Sequence, residues 1–103
     1  MDRMAMLNEI LEQNPDDAFA RYGLAIEYSK MGSLDQAMTE FKRLLATHPD
    51  YTAGYFMAAQ TLAAAGRTPA AIEQLKAGIS CANRASNQHA LSEMQAMLDE
   101  LDR

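Results

Sequence analysis

Apolar residues recur along this chain at helical spacing. Leu24, Ala25 and Tyr28 fall on one face of a helix. Leu34, Ala37, Met38, Phe41, Leu44 and Leu45 do the same, as do Ala71, Ile72, Leu75 and Ile79. Breakers stand between these stripes. Pro15 precedes Asp16 and Asp17, and acids are favoured at a helix start by capping and by the helix dipole. The pattern predicts a helix from about Asp17 to Met31, ended by Gly32, because glycine adopts the left-handed conformation beyond a helix end cheaply. Ser33 with Gln36 has the spacing of a capping box that opens a second helix, and Pro49 closes it. Asp50 is expected to cap a helix that ends by Gly66. Thr68 is expected to cap another, with Pro69 at its first position and its end near Asn83.

These features repeat with a period of 34 residues. Gly32 and Gly66 are 34 apart, and so are Pro15 and Pro49, and Ala37 and Ala71. Ala25 is matched by Ala59, Tyr28 by Leu62 and Phe41 by Leu75. A fixed period of this length signals stacked supersecondary units. Residues 18–49 and 52–83 are then two complete helix pairs. Residues 1–14, with Met4, Leu7, Ile10 and Leu11 on one side, read as the second helix of an earlier pair. Residues 86–102, opened by Ser86, read as a capping helix. Its apolar side is Leu91, Met94, Leu98 and Leu101, and its polar side is Glu93, Asp99, Glu100 and Asp102. The expected fold is all-α, a solenoid of antiparallel helix pairs with about six helices in one domain.

Composition supports helix over sheet. Valine is absent and isoleucine is scarce among the 103 residues. The net charge is −5 and the basic residues are scattered, with Lys42 and Arg43 the only adjacent pair. That argues against a nucleic-acid partner, which needs concentrated positive charge. Cys81 is single, so no internal disulfide forms, which suits a reducing compartment. No apolar run approaches the ~20 residues needed to span a bilayer. Asp2, Arg3 and Glu9 interrupt the N-terminal residues, unlike a signal peptide. A cytoplasmic protein without membrane partners is the expectation.

The residues Leu24, Ala25, Tyr28, Gly32, Ala37, Phe41 and Pro49 in one unit, and Tyr55, Ala59, Gly66 and Ala71 in the next, resemble the tetratricopeptide repeat, in its small bacterial type. Arg21, Leu44, Ala58, Gly78 and Asn83 depart from that pattern. The resemblance implies a right-handed solenoid whose first helices line a concave, polypeptide-binding face. Residues carried over to that face include Phe19, Tyr22, Gly23, Ile26 and Lys30 from one unit, and Phe56, Met57 and Gln60 from the other. Together they would form an apolar groove. Gly23 allows two readings, close approach of a bound backbone or a near-neutral substitution. Some members clamp a C-terminal carboxylate with Lys and Asn. Here those places hold Tyr22, Gly23, Ile26, Phe56, Met57 and Gln60, and only Lys30 fits, so no clamp is expected.

Catalytic and metal chemistry find no foothold in the sequence. His89 with Glu93 is one pair where structural zinc takes four ligands. Cys81, with Arg84 three residues on, lacks a partner for nucleophilic catalysis. The expectation is no enzyme, no cofactor and no metal. It is a module that binds a protein or peptide, or alternatively one that pairs as a homodimer through the same surface.

Overall fold

The computed structural model describes residues 2–103, and six helices account for most of them. They are α1 (Arg3–Gln13), α2 (Ala18–Lys30), α3 (Leu34–Thr47), α4 (Thr52–Ala64), α5 (Thr68–Arg84) and α6 (Gln88–Leu101). Each packs on its chain neighbour. In addition α2 touches α4 and α4 touches α6, whereas α1, α3 and α5 do not touch one another. The array therefore curves, with α2, α4 and α6 on its inner side.

Three helix starts are capped by side chains. Asp2 accepts from the Ala5 N–H, Asp17 from Ala20 and Asn87 from Ala90. The other starts differ from the local expectation. Ser33 is the N-cap of α3 but makes no side-chain cap bond, so the capping box with Gln36 is not formed. Ser33 has ψ near 76°, and its short hydroxyl does not reach the next turn; the longer Asn87 amide does reach from ψ 86°. Tyr51, not Asp50, precedes α4, and Arg67, not Thr68, precedes α5, which moves Pro69 to the second helical position. At α5 the tight turn accounts for this, since the chain passes from the left-handed Gly66 into the helix within two residues.

Helix ends follow one rule three times. Gly32 and Gly66 have φ of 76° and 77°, and Ser86 has φ 55°. The residue after each donates its N–H back to the preceding helix: Ser33 to Tyr28, Arg67 to Leu62 and Asn87 to Ala82, at 2.8–3.0 Å. These are Schellman ends. Ser86 is therefore not the cap of α6. It ends α5, and Asn87 takes the capping role. With Asn83 where the period calls for proline, α5 runs 17 residues against 14 in α3, and α6 starts correspondingly late.

The core is a chain of three clusters, each shared between neighbouring helices. Leu7, Leu11, Ala20 and Leu24 join α1 to α2. Ala25, Ala37, Phe41, Leu44 and Ala58 join α2, α3 and α4. Ala59, Leu75, Ala82 and Met94 join α4, α5 and α6. The repeating alanines Ala25, Ala37, Ala59 and Ala71 are fully buried, which lets the helices of each pair approach closely.

Two departures from the repeat pattern gain a structural reason. Arg21 replaces an apolar residue, and its guanidinium pairs with Glu40 while donating to the Pro15 carbonyl at 3.0 Å. One period later, Tyr55 occupies the same place and donates to the Pro49 carbonyl at 2.6 Å. The shared task is tying the first inner turn to the proline carbonyl that precedes it. Gly78 is buried between α4 and α6. A Cβ there would stand 2.5 Å from Met94 Sδ and 2.7 Å from Tyr55 Cβ, so even alanine is crowded.

Candidate functional site

The inner face is built from three helices in one register. Counted from their caps Asp17, Tyr51 and Asn87, the second residues are Phe19, Ala53 and His89, and the fifth are Tyr22, Phe56 and Ser92. The ninth are Ile26, Gln60 and Ala96, and the thirteenth are Lys30, Ala64 and Glu100. None of these twelve is buried. The opposite sides of the same helices carry the core, Leu24 and Ala25 in α2, Ala58 and Ala59 in α4, and Met94 in α6. Helical periodicity thus turns these rows mostly toward solvent, with Tyr22 and Phe56 resting on the core at one edge.

Six of the eight residues singled out from the sequence stand in these rows, and Met57, the sixth residue of α4, stands beside Phe56. Phe19 is 69% exposed, a large exposure for an aromatic ring. Tyr22 and Ile26 are half-buried, and Lys30 is exposed. Phe56 and Met57 are half-buried, leaning on the third and the middle core cluster respectively, and Gln60 is exposed. The Tyr22 ring packs on Tyr51 with centroids 5.3 Å apart, in a tilted arrangement. Burial, and then the neighbouring Tyr51, push the Tyr22 phenol pKa up, so it stays neutral under ordinary conditions.

Gly23 is the exception. It is buried, and a Cβ there would stand 3.1 and 3.3 Å from the two Leu7 methyls and 3.4 Å from Arg3 Nη2. The space above it is filled by α1, so it does not open onto the groove. The missing side chain accommodates a helix of this same chain, neither a bound backbone nor a neutral exchange.

One element of the site carries no local sequence signal. The Thr61 hydroxyl donates to the Met57 carbonyl at 2.8 Å, so in its 2.9 Å contact with Ser29 the Ser29 hydroxyl is the donor. This link ties α2 to α4 at the groove floor. Beside it lies an open cleft of about 230 Å³ lined by Ser29, Gly32, Leu34, Thr61, Ala64 and Ala65.

Other candidate chemistry remains scattered. His89 Nε2 lies 3.1 Å from Glu93 Oε1, and no group of three or more metal-ligating side chains occurs among the described residues. Cys81 is buried with its sulfur 3.3 Å from Thr52 Oγ1, and Arg84 bonds Ser80 instead of approaching the thiol. Among the described residues no helix is long and apolar enough to cross a membrane.

Comparison with known proteins agrees with this architecture. The tetratricopeptide repeat profile matches residues 4–53 and 28–98. A TPR repeat-containing protein of Pseudomonas aeruginosa is 29% identical over 97 residues, covering 94% of this chain and 92% of that protein. The solution structure of a tetratricopeptide repeat domain protein from Salinibacter ruber is 33% identical. It has a TM-score of 0.79 and covers 85% of this chain and 89% of its own. A Bordetella parapertussis protein at 23% identity shares the fold, with a TM-score of 0.86 over 100% of this chain and 90% of its own. With the profile spanning well over half of the residues, this chain belongs to the tetratricopeptide repeat family, whose repeats mediate protein–protein interaction.

Proposed function

We propose that this protein holds a segment of another polypeptide in the groove formed by α2, α4 and α6, and that it acts as a binding scaffold, not a catalyst. The observation that carries the reading is the apolar surface left on that face by the exposed Phe19 and the half-buried Tyr22, Ile26, Phe56 and Met57, of which Tyr22, Phe56 and Met57 rest on the core clusters with one edge only. Contiguous exposed apolar surface of a few hundred Å² usually marks an interaction site. The occupant sits on Phe19 and Tyr22 at one wall and on Phe56 and Met57 at the other, with Gln60 and Lys30 as polar contacts. Gly23 has no part in it. The single, buried Cys81 suits work in the reducing cytoplasm.

Nuclear magnetic resonance titration with a panel of apolar peptides tests the reading. Shift changes confined to the inner sides of α2, α4 and α6, and abolished in Phe19→Glu, are the expected result. Phe19 is the preferred variant because its ring is mostly outside the core, so its loss leaves folding intact. Changes elsewhere, or binding indifferent to Phe19→Glu, would refute it. Sedimentation at rising concentration checks the homodimer: a dimer dissolved by Phe19→Glu would make a second copy the occupant.

A further inference from the structure

The groove is not uniform across its width. On the α2 column the register rows carry Phe19, Tyr22, Ile26 and Lys30, and on α4 they carry Ala53, Phe56, Gln60 and Ala64. On α6 they carry His89, Ser92, Ala96 and Glu100, and Glu93 is exposed on the same helix, next to His89. Aromatic and aliphatic surface thus stops at α4. The α6 wall is polar and acidic, with two carboxylates and one imidazole. The thirteenth-residue row makes the gradient explicit: a cation at Lys30, a neutral residue at Ala64 and an anion at Glu100. Lys30 is 69% exposed and only loosely paired with Glu27, at 3.7 Å. No Lys or Arg stands in the described part of α6 to neutralise its acids.

We infer that the occupant of this groove is a polypeptide segment with an apolar anchor on α2 and α4 and basic character toward the α6 wall, where Glu93 and Glu100 stand two helical turns, about 10 Å, apart. The inference rests on the groove reading above and adds the chemistry and direction of the partner. Burial of the anchor supplies the affinity, and the acidic wall sets the orientation, because complementary charge selects register and partner more than it adds strength. An acidic residue at the same end would meet a carboxylate at either turn of that wall and be rejected. Packed helices lie about 8–10 Å apart, so α2 and α6 are about 20 Å apart across the groove. An extended chain covers that distance in about six residues at about 3.3 Å each. The exposed Gln60 amide in the middle column, with one acceptor and two donors, suits an extended backbone whose own polar groups need partners.

Selection of random dodecapeptides displayed on phage against the full chain tests this directly. The expected result is enrichment of sequences with an aromatic or aliphatic residue about six positions from Lys or Arg. A fluorescein-labelled selected peptide should then lose about fivefold or more in affinity to Glu93→Lys/Glu100→Lys, as expected for reversing exposed charges. Renewed selection on that variant should replace Lys and Arg by Asp and Glu. Both side chains are exposed, and an unchanged melting temperature confirms that the variant folds. Apolar peptides without a basic residue, bound equally by both proteins, would overturn the charge inference and leave the groove reading standing. Enrichment of acidic peptides on the original chain would overturn it as well. No enriched peptide at all would sink both readings.

Discussion

Gly23 and Gly78 both lie inside helices and are both buried, yet replacing each with alanine should move stability in opposite directions. Alanine gains about 1 kcal/mol over glycine in a helix interior. At Gly23 the new methyl meets only side-chain ends, the Leu7 methyls at 3.1 and 3.3 Å and Arg3 Nη2 at 3.4 Å. These need to yield by a few tenths of an ångström, which flexible side chains do at a fraction of the helix gain. Gly23→Ala should therefore stabilise by about 0.5 kcal/mol. At Gly78 the methyl falls 2.7 Å from Tyr55 Cβ and 2.5 Å from Met94 Sδ. Carbon contacts are comfortable only beyond about 3.5 Å. Tyr55 Cβ moves only with the α4 backbone, and that backbone is packed through the fully buried Ala58 and Ala59. Overpacking of this kind costs about 1–3 kcal/mol, and contacts this short fall in the upper half of that range, so Gly78→Ala should destabilise by about 1–2 kcal/mol after the helix gain of about 1 kcal/mol is subtracted. Each kcal/mol corresponds to roughly 4–8 °C in a domain of this size. Urea and thermal unfolding followed by circular dichroism would resolve both shifts. If Gly78→Ala were as stable as the parent, the close approach of α4, α5 and α6 would not depend on that glycine.

Three further outcomes follow from the same contacts. Ser86 holds φ 55°, so Ser86→Gly should raise stability by about 1 kcal/mol in the same unfolding assay, while Gly32→Ala should lower it by a similar amount. Arg21 and Glu40 are 15% and 11% exposed in their side chains. Arg21→Met should cost about 3 kcal/mol by leaving the Glu40 carboxylate buried with only the more distant Arg43, at 3.8 Å; Arg21→Met/Glu40→Met should recover most of it in a double-mutant cycle. Burial is the main cause raising the phenols of Tyr22, Tyr51 and Tyr55 above the ordinary value near 10. The folded state therefore holds these protons more tightly than the unfolded chain. Their contribution should be present in full below about pH 10 and fall away as pH rises through the raised values, read as a dropping urea midpoint alongside tyrosinate absorbance. A midpoint unchanged up to about pH 11 would contradict that burial.

Much of this architecture is legible in the sequence because it rests on properties of single positions at a fixed interval. Gly32 and Gly66 end helices through a backbone conformation that their lack of a side chain makes cheap, whatever surrounds them. Ala25, Ala37, Ala59 and Ala71 mark the close contacts because only a small residue fits there, and their 34-residue spacing announces the stack. The groove-facing side chains of α2 and α4 follow from the same periodicity. What the tertiary structure decided lies wherever a residue's role is set by a different helix. Gly23 is defined by Leu7 in α1, Arg21 by Glu40 in α3, and Gly78 by Tyr55 and Met94 on either side of it. Ser86 resembles a cap by type, but the longer α5 makes it a helix end and shifts α6. That shift sets which α6 residues join the groove rows, and it put His89, Ser92, Ala96 and Glu100 there, beyond the reach of a strict period. Local preference is intrinsic to a residue and can be read along the chain. A contact between helices depends on what the other helix brings to that point, and only the packed fold supplies it.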